Sequence, residues 1–390
     1  QEYVERLRSM SASGTGMLSV DTHVSEHTWA TARLAAGGVI RGLEAVVGDK
    51  LRPYLEYQAD RVEAVLSAHR APSRVTGGTV GPRLIRFFLN PAPHIRFASI
   101  KRLADDLALA LRVPNLDIGR GREGVVVTFP NPEPQEVRLL SLLEEVGPMP
   151  VATAVLGLTQ DGAPLLARLP APEVVHILIA GTTGSGKSAL LRTIGASLVL
   201  TNRPDVLRLV CIDPKGRAFA GLRDAPHLAR PPVSERAEIR EALQSLVRTM
   251  EVRDQHGERQ PPLAVLIDEL AELVFTCGDA VSEALTRLAQ RGREAGIHLI
   301  AATQRPSAAI LSGLMRANFP LRLVGKVVSA TDARVAAGRG GTNAHLLNGR
   351  GDFVAVSGGE APIRFQVAYI EEESFRSIGQ EAASDARRTR

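Results

Sequence analysis

The second half of the chain alternates short apolar runs with amphipathic stretches at helical spacing. The runs lie at residues 174–180, 207–213, 264–267, 297–303, 321–328 and 353–356, and each has the length of a strand. This alternation is typical of an α/β fold in which a mostly parallel sheet carries helices on both faces. Residues 363–370 alternate polar and apolar positions, so we expect an edge strand or the last arm of a hairpin there.

The first half follows a different pattern. Residues 1–25 are polar and are expected to be poorly ordered, whereas residues 29–47 and about 53–69 carry apolar positions at helical spacing. A small α/β unit then follows, with a helix predicted over residues 100–111 and strands over 83–89, 116–118 and 124–129.

These patterns divide the chain into four parts, with a boundary near residues 140–150, where Gly147 and Pro148 interrupt the pattern. The parts are a helical, partly disordered N-terminal segment (1–55), a small α/β domain (56–145), a larger α/β domain (146–375) and a solvated tail (376–390).

One motif in the larger domain fits the phosphate-binding pattern G-x-x-x-x-G-K-[ST]. It consists of Gly181, Thr182, Thr183, Gly184, Ser185, Gly186, Lys187 and Ser188. A predicted strand precedes it and a predicted helix follows it, which is the context that phosphate binding requires. We expect Lys187 to reach the β- and γ-phosphates of ATP and Ser188 to bind Mg²⁺.

Two carboxylates, Asp268 and Glu269, end the apolar run of residues 264–267. Asp268 fits the Walker-B aspartate that holds Mg²⁺ through a water, and Glu269 fits a general base for the attacking water. The alternative is that both residues only cap the following helix. We favour ATP hydrolysis because a phosphate-binding loop precedes the pair.

Gln304 follows the apolar run of residues 297–303 directly. A polar side chain at this end of a strand, beside the nucleotide, can sense the γ-phosphate. The alternative is a turn residue before Pro306. His298 lies inside the same run, and we interpret it as a core histidine.

Residues 287–326 concentrate positive charge on the predicted loops around this strand, with seven basic residues against the single acid Glu294. The stretch fits contact with nucleic-acid phosphates through Arg305, Arg316 and Arg322. It also fits an arginine, Arg287, Arg291 or Arg293, that acts on a neighbouring subunit's nucleotide, or simply a solvated face. Its only aromatic residue is Phe319, and single-strand binders need stacking platforms, so duplex DNA is the favoured polyanion.

Composition narrows the class of protein. The chain has 390 residues with 44% hydrophobic content, enough for packed domains, and a net charge of +5 that permits a polyanionic partner. Cys211 and Cys277 each lie in an apolar run and are interpreted as core residues of a cytoplasmic protein.

No stretch is long and apolar enough for a membrane span, so no membrane contact is expected within these residues. The chain begins at Gln1 rather than Met, so we interpret it as a segment of a longer protein in which a membrane anchor could lie outside these residues.

Several motifs together resemble the motor region of the FtsK/SpoIIIE DNA translocases, over about residues 60–370. They lie at residues 81–87, 103–111, 212–215, 267–273, 287–307, 315–320 and 348–352. The first two resemble that family's α domain, which precedes a RecA-like β domain. No segment like the family's winged-helix domain follows, and residues 1–55 resemble nothing in it.

The resemblance implies a hexameric ring that encloses double-stranded DNA and moves it with ATP. The sequence therefore predicts an ATP-dependent duplex DNA translocase. An ATPase of a protein-secretion or conjugation system and a non-hydrolysing assembly module are the alternatives.

Overall fold

A computed structural model describes residues 51–121, 124–160, 162–257, 259–304 and 317–388. The polar start, the helix predicted over residues 29–47, and the candidate DNA-binding residues Arg305 and Arg316 lie outside these ranges.

The N-terminal unit is an antiparallel sheet with helices packed on it. Its elements are α1 (Leu51–Ala68), β1 (Ser73–Val80), β2 (Leu84–Pro91), α2 (Phe97–Lys101), α3 (Ala104–Leu111), β3 (Asp117–Gly121) and β4 (Gly124–Pro130). The strand order is β1-β2-β4-β3. Val62 and Leu66 of α1 and Leu107 of α3 are buried in one core with Phe87 and Phe129 of the sheet.

A second, nine-stranded sheet carries the larger α/β unit, with the strand order β6-β5-β13-β12-β11-β7-β10-β9-β8. Its strands are β5 (Thr153–Thr159), β6 (Pro164–Arg168), β7 (Ile177–Ala180), β8 (Arg208–Ile212), β9 (Leu263–Ile267), β10 (Ile297–Thr303), β11 (Leu321–Val324), β12 (Asp352–Ser357) and β13 (Ile363–Val367). The run β11-β7-β10-β9-β8 is parallel. The remaining pairs, from β11–β12 to β5–β6, are antiparallel. The sheet is therefore mixed, with its parallel half around β7.

Helices cover both faces of this sheet and bury it in three apolar clusters. They are α4 (Leu139–Val146), α5 (Lys187–Thr201), α6 (Arg236–His256), α7 (Leu270–Thr276), α8 (Asp279–Arg291), α9 (Ala330–Ala337) and α10 (Glu372–Arg388). Helix α4 packs with the core of the nine-stranded sheet. The division of the chain into domains stays a prediction.

The strand order places the chemistry. Strand β10 lies between β7 and β9, and all three are parallel. Their carboxyl ends therefore meet at one edge of the sheet, which is where open α/β sheets bind ligands. Residues 181–188 follow β7, Asp268 and Glu269 follow β9, and Gln304 follows β10.

The structure corrects several predicted elements. Residues 363–367 are a hairpin arm but not an edge strand, because β13 pairs with β12 on one side and β5 on the other. The helix predicted over residues 100–111 is two helices, α2 and α3. Strand β1 was not predicted, since Gly77 and Gly78 interrupt its pattern where the strand has a bulge.

Two histidines, His176 and His298, are buried against each other at the amino end of β10. The Nδ1 of His298 lies 3.0 Å from the carbonyl oxygen of Val175, and the Leu299 amide donates to the Nδ1 of His176 at 2.9 Å. His298 is thus a hydrogen-bonded core histidine, as predicted. Burial lowers the pKa of His298 to about 4, and burial together with the charge of His298 lowers that of His176 to about 3.

These histidines predict acid sensitivity of the fold. In the unfolded chain both rings take up a proton near their ordinary pKa of 6.5, but in the folded chain only near pH 3–4. The stability that they provide is complete above pH 6.5 and is lost as the pH falls toward 4. Each ring should add about 1.4 kcal/mol per pH unit to the slope of the unfolding free energy in this window.

Urea unfolding of wild type and His298→Asn between pH 7 and pH 4.5 measures this slope. Asparagine keeps a donor for the Val175 carbonyl but cannot titrate. The slope of the unfolding free energy against pH should therefore be smaller in the variant by the amount that corresponds to about one bound proton. The control His69→Gln changes an exposed residue and should leave the slope unchanged. Equal slopes in His298→Asn and wild type would contradict the assignment.

Candidate active site

The loop after β7 is shaped for an anion. Gly184 and Gly186 have φ of 79° and 105°, which glycine adopts far more readily than other residues. A Cβ on Gly186 would lie 2.7 Å from the Gly351 nitrogen, so the space also excludes a side chain. Helix α5 begins at Lys187 with no side-chain cap at Gly186. Its first amide groups are therefore available to bind phosphate.

Two backbone segments, at Lys326 and at residues 350–351, form hydrogen bonds with this loop. The Thr182 amide donates to the Lys326 carbonyl at 2.8 Å, and the amides of Arg350 and Gly351 donate to the carbonyls of Gly184 and Ser185 at 3.0 and 2.8 Å. These contacts anchor Thr182 and turn the Gly184 and Ser185 carbonyls toward residues 350–351. The amides at the start of α5 are left to face the ligand.

The turn that supplies two of these amides is itself held by a partly buried ion pair. Asp352 accepts from Arg364 at 2.8 and 2.6 Å and from the Asn348 amide at 2.9 Å. The turn at residues 350–351 thus supports the phosphate-binding loop, a role that sequence reasoning missed.

The predicted magnesium ligands lie next to each other. The Ser188 hydroxyl donates to Asp268 Oδ1 at 3.2 Å, and Lys187 Nζ donates to the Thr182 carbonyl at 2.9 Å. Burial is the largest cause that lowers the pKa of Lys187, and the charges of Glu269 and Asp268 oppose it. Burial and the neighbouring Asp213 carboxylate raise the pKa of Asp268. A divalent cation would relieve this concentration of negative charge.

Magnesium fits this arrangement. Among the described residues no group of three His, Cys, Asp or Glu side chains is placed to hold a metal ion. Mg²⁺ typically takes one or two protein oxygens and completes its shell with substrate phosphates and water. Ser188 and Asp268 can supply the protein part.

Glu269 and Gln304 contact each other at the carboxyl edge of the sheet. The backbone N–H of Gln304 donates to Glu269 Oε1 at 3.1 Å. The Thr183 hydroxyl donates to the side-chain oxygen Oε1 of Gln304 at 3.2 Å. Gln304 therefore bridges the phosphate-binding loop and Glu269, whose side chain is almost fully buried.

The basic stretch of residues 287–326 does not form one surface in the described part of the chain. Arg287 and Arg291 lie on α8 and pair with Glu251 and Asp254 of α6, at 2.6 Å for Arg291. Arg322 lies in β11 rather than on a loop, is half-buried, and donates to the Phe319 carbonyl at 3.3 Å. The prediction that these three arginines lie on loops around β10 is wrong.

The cause is the length of β10. Its seven residues separate Arg293 from Gln304 by roughly 20 Å, so charges that are close in sequence lie at opposite edges of the sheet. Phe319 is buried and contacts His176. The stretch therefore has no exposed aromatic ring, since Phe319 is its only one.

Sequence reasoning assigned no role to Asp213, which ends β8 next to Asp268. Asp213 Oδ1 accepts from the Lys215 amide at 3.0 Å and Oδ2 from the Ala218 amide at 2.6 Å. Residues 207–213 have the same pattern as 263–268, an apolar strand that ends in a carboxylate. This repetition was the signal that could have indicated the residue.

The chain matches two family models. The FtsK/SpoIIIE family model matches residues 148–256 and 253–308, and the FtsK alpha domain model matches residues 47–131. DNA translocase FtsK of Sporosarcina ureae is 32% identical over 83% of this chain and 45% of that protein. DNA translocase SpoIIIE of Bacillus subtilis is 32% identical over 82% of this chain and 44% of that protein. The chain thus spans less than half the length of these relatives.

Solved structures show the same fold. The cytoplasmic domain of the type VII secretion ATPase EccC of Thermomonospora curvata has a TM-score of 0.55 at 27% identity, over 63% of this chain and 34% of that one. The pCW3 conjugation coupling protein TcpA, in its monomer form with ATPγS, has a TM-score of 0.58 at 21% identity, over 84% of this chain and 99% of that one.

The parallel half of the sheet, with a phosphate-binding loop after β7 and two carboxylates after β9, defines a RecA-like P-loop ATPase fold. The predicted fold class is confirmed. The two family models together match more than half of the chain. The chain belongs to the FtsK/SpoIIIE family. No helix in the described ranges is long and apolar enough to cross a membrane.

Proposed function

We propose that this chain is the motor region of an ATP-dependent translocase for double-stranded DNA. The observation that carries the proposal is the Gln304 bridge between the phosphate-binding loop and Glu269. This bridge links the place where the γ-phosphate binds to the group that would activate water. An assembly module that only binds nucleotide has no use for such a link.

In this proposal the phosphates of ATP lie in the loop of residues 181–188 on the free amides at the start of α5, with Lys187 at the β- and γ-phosphates. Ser188 and Asp268 hold Mg²⁺, which supplies charge neutralisation at the phosphates. Glu269 accepts a proton from the attacking water. Gln304 orients Glu269 and responds to loss of the γ-phosphate.

The subunits form a homo-oligomeric ring, hexameric as the family resemblance implies. Arg293 supports this arrangement. Arg287 and Arg291 already pair with acids of their own subunit. Arg293 is exposed and forms no ion pair with any residue that the structure describes. It lies at the sheet edge opposite its own nucleotide site. In the ring it therefore contacts the γ-phosphate bound by a neighbouring subunit.

The substrate is duplex DNA held by its phosphates. The curated relatives are DNA translocases, and the basic stretch lacks the exposed aromatic rings on which unstacked bases would lie. Contact with phosphates alone positions a protein without reading sequence. We place this activity in the cytoplasm, where ATP is abundant and free thiols such as those of Cys211 and Cys277 persist.

ATP hydrolysis by the purified chain, with and without duplex DNA, tests the proposal. Duplex should stimulate the rate, and its apparent affinity should fall at least tenfold between 50 and 200 mM salt, since a protein that contacts several phosphates loses about 10³ or more in this range. Lys187→Ala should abolish hydrolysis at every DNA concentration. A wild-type rate that does not respond to duplex would contradict the proposal.

A protein-secretion ATPase is the second candidate, favoured by the likeness to EccC. The same assay distinguishes the two. A polypeptide that stimulates hydrolysis where duplex does not would reverse the assignment.

A further inference from the structure

The turn after β8 presents a second lysine to the nucleotide site. The Asp268 amide donates to the Ile212 carbonyl at 3.2 Å, which sets residues 213–218 directly beside the magnesium ligand. Asp213 fixes this turn from inside by accepting from the Lys215 and Ala218 amides. The backbone of Lys215 is thereby held at the carboxyl edge of the sheet.

The turn is also fastened to the helix that carries the phosphate-binding loop. Arg192 of α5 donates to the carbonyls of Arg217 and Ala218, each at 3.1 Å, and pairs with Glu372 of α10 at 2.7 Å. Ser188 lies one turn earlier on the same helix. Lys215 is therefore positioned by the element that binds the phosphates.

The ammonium group of Lys215 is weakly held. Its Nζ lies 3.8 Å from Glu272 Oε2, and the two side chains are 46% and 35% exposed. An ion pair this long and this exposed contributes little to stability. A triphosphate carries more negative charge than Glu272 and can compete for the lysine.

The charge of Lys215 already acts on the site. It adds to burial in lowering the pKa of Lys187, and it lowers the pKa of Asp268 against the larger effects of burial and Asp213. Lys187 and Asp268 are the groups assigned to the β- and γ-phosphates and to Mg²⁺. Lys215 therefore lies near these groups, on the turn that follows Ile212, the residue whose carbonyl the Asp268 amide contacts.

We infer that Lys215 is a second phosphate-binding lysine, which leaves Glu272 when ATP binds and contacts the γ-phosphate of its own subunit. This inference rests on the proposed function. A fixed cation at this point stabilises the charge on the transferred phosphoryl group without any change in covalent bonding. ADP, which lacks the γ-phosphate, has no contact with Lys215.

Two measurements on the full chain test the inference. In binding, Lys215→Ala should weaken ATPγS about tenfold and leave ADP unchanged, because a hydrogen bond to a charged group is lost only with the triphosphate. In turnover, the same variant should lose about 10- to 100-fold in kcat. Lys215→Arg, which keeps the charge, should retain most of both.

Glu272→Gln separates a phosphate contact from a structural ion pair. If Lys215 served only to hold Glu272, both variants would lose activity equally; if it binds phosphate, Glu272→Gln stays within about twofold of wild type. Arg217→Ala removes a charge two residues away on the same turn and should also stay near wild type.

The outcomes can be told apart from a failure of the proposed function. A wild type that binds ATPγS but hydrolyses no ATP would defeat the proposed function, and the ATPγS-to-ADP comparison would still decide the role of Lys215. Equal loss of ATPγS and ADP in Lys215→Ala, no loss of either, or parallel losses in Glu272→Gln would overturn the inference.

Discussion

Glu269→Gln should keep nucleotide binding and lower kcat for ATP hydrolysis by about 10²–10⁴-fold, the usual contribution of a general base. Glutamine retains an Oε1 acceptor for the Gln304 amide, so the bridge to the phosphate-binding loop can persist. It cannot take a proton from water. Single-turnover hydrolysis of bound ATP measures the loss without interference from product release.

The chain offers a matched control for this substitution. Glu272 lies one turn further along α7, is 35% exposed, and reaches Lys215 rather than Gln304. Glu272→Gln removes the same charge and should leave single-turnover hydrolysis near wild type. Equal rates in wild type and Glu269→Gln would remove Glu269 as the base.

The second large effect is expected at Arg293. Arg293→Ala should lower ATP hydrolysis by about 10³–10⁵-fold if this arginine acts in trans on the γ-phosphate. Arg291→Ala removes a guanidinium from the same helix end, but this one already pairs with Asp254. It should therefore cost far less, as exposed ion pairs usually do.

Mixing inactive subunits tests whether Arg293 acts between subunits. A Lys187→Ala subunit has no working nucleotide site but an intact Arg293, whereas an Arg293→Ala subunit has the reverse. Where the first neighbours the second, one complete site forms, so mixed rings should recover part of the activity. No recovery upon subunit exchange would place Arg293 elsewhere.

The candidate nucleotide-site residues could be predicted from the sequence because each motif consists of residues that are adjacent in the chain. The phosphate-binding loop, the carboxylate pair and Gln304 each follow a strand, and parallel strands bring their carboxyl ends together. In the structure Thr183, Glu269 and Gln304 contact one another at this edge of the sheet. Their catalytic roles remain predictions.

Contacts between residues distant in sequence were not readable in this way. The amides of Arg350 and Gly351 brace a loop more than 160 residues earlier, and nothing in the composition of residues 348–352 indicates that pairing. Lys215 depends likewise on Arg192 and Asp213 for its position. The basic residues that precede β10 and those that follow it do not form one surface, because the length of this strand places them at opposite edges of the sheet.

Displacement of a third strand from a duplex tests the central claim most directly. A motor that moves along double-stranded DNA strips a triplex-forming oligonucleotide from its path. The account predicts that the wild-type chain releases this oligonucleotide with ATP, and that neither Glu269→Gln with ATP nor wild type with ATPγS does so. Duplex-stimulated ATP hydrolysis by the wild type with no release of the third strand would contradict it.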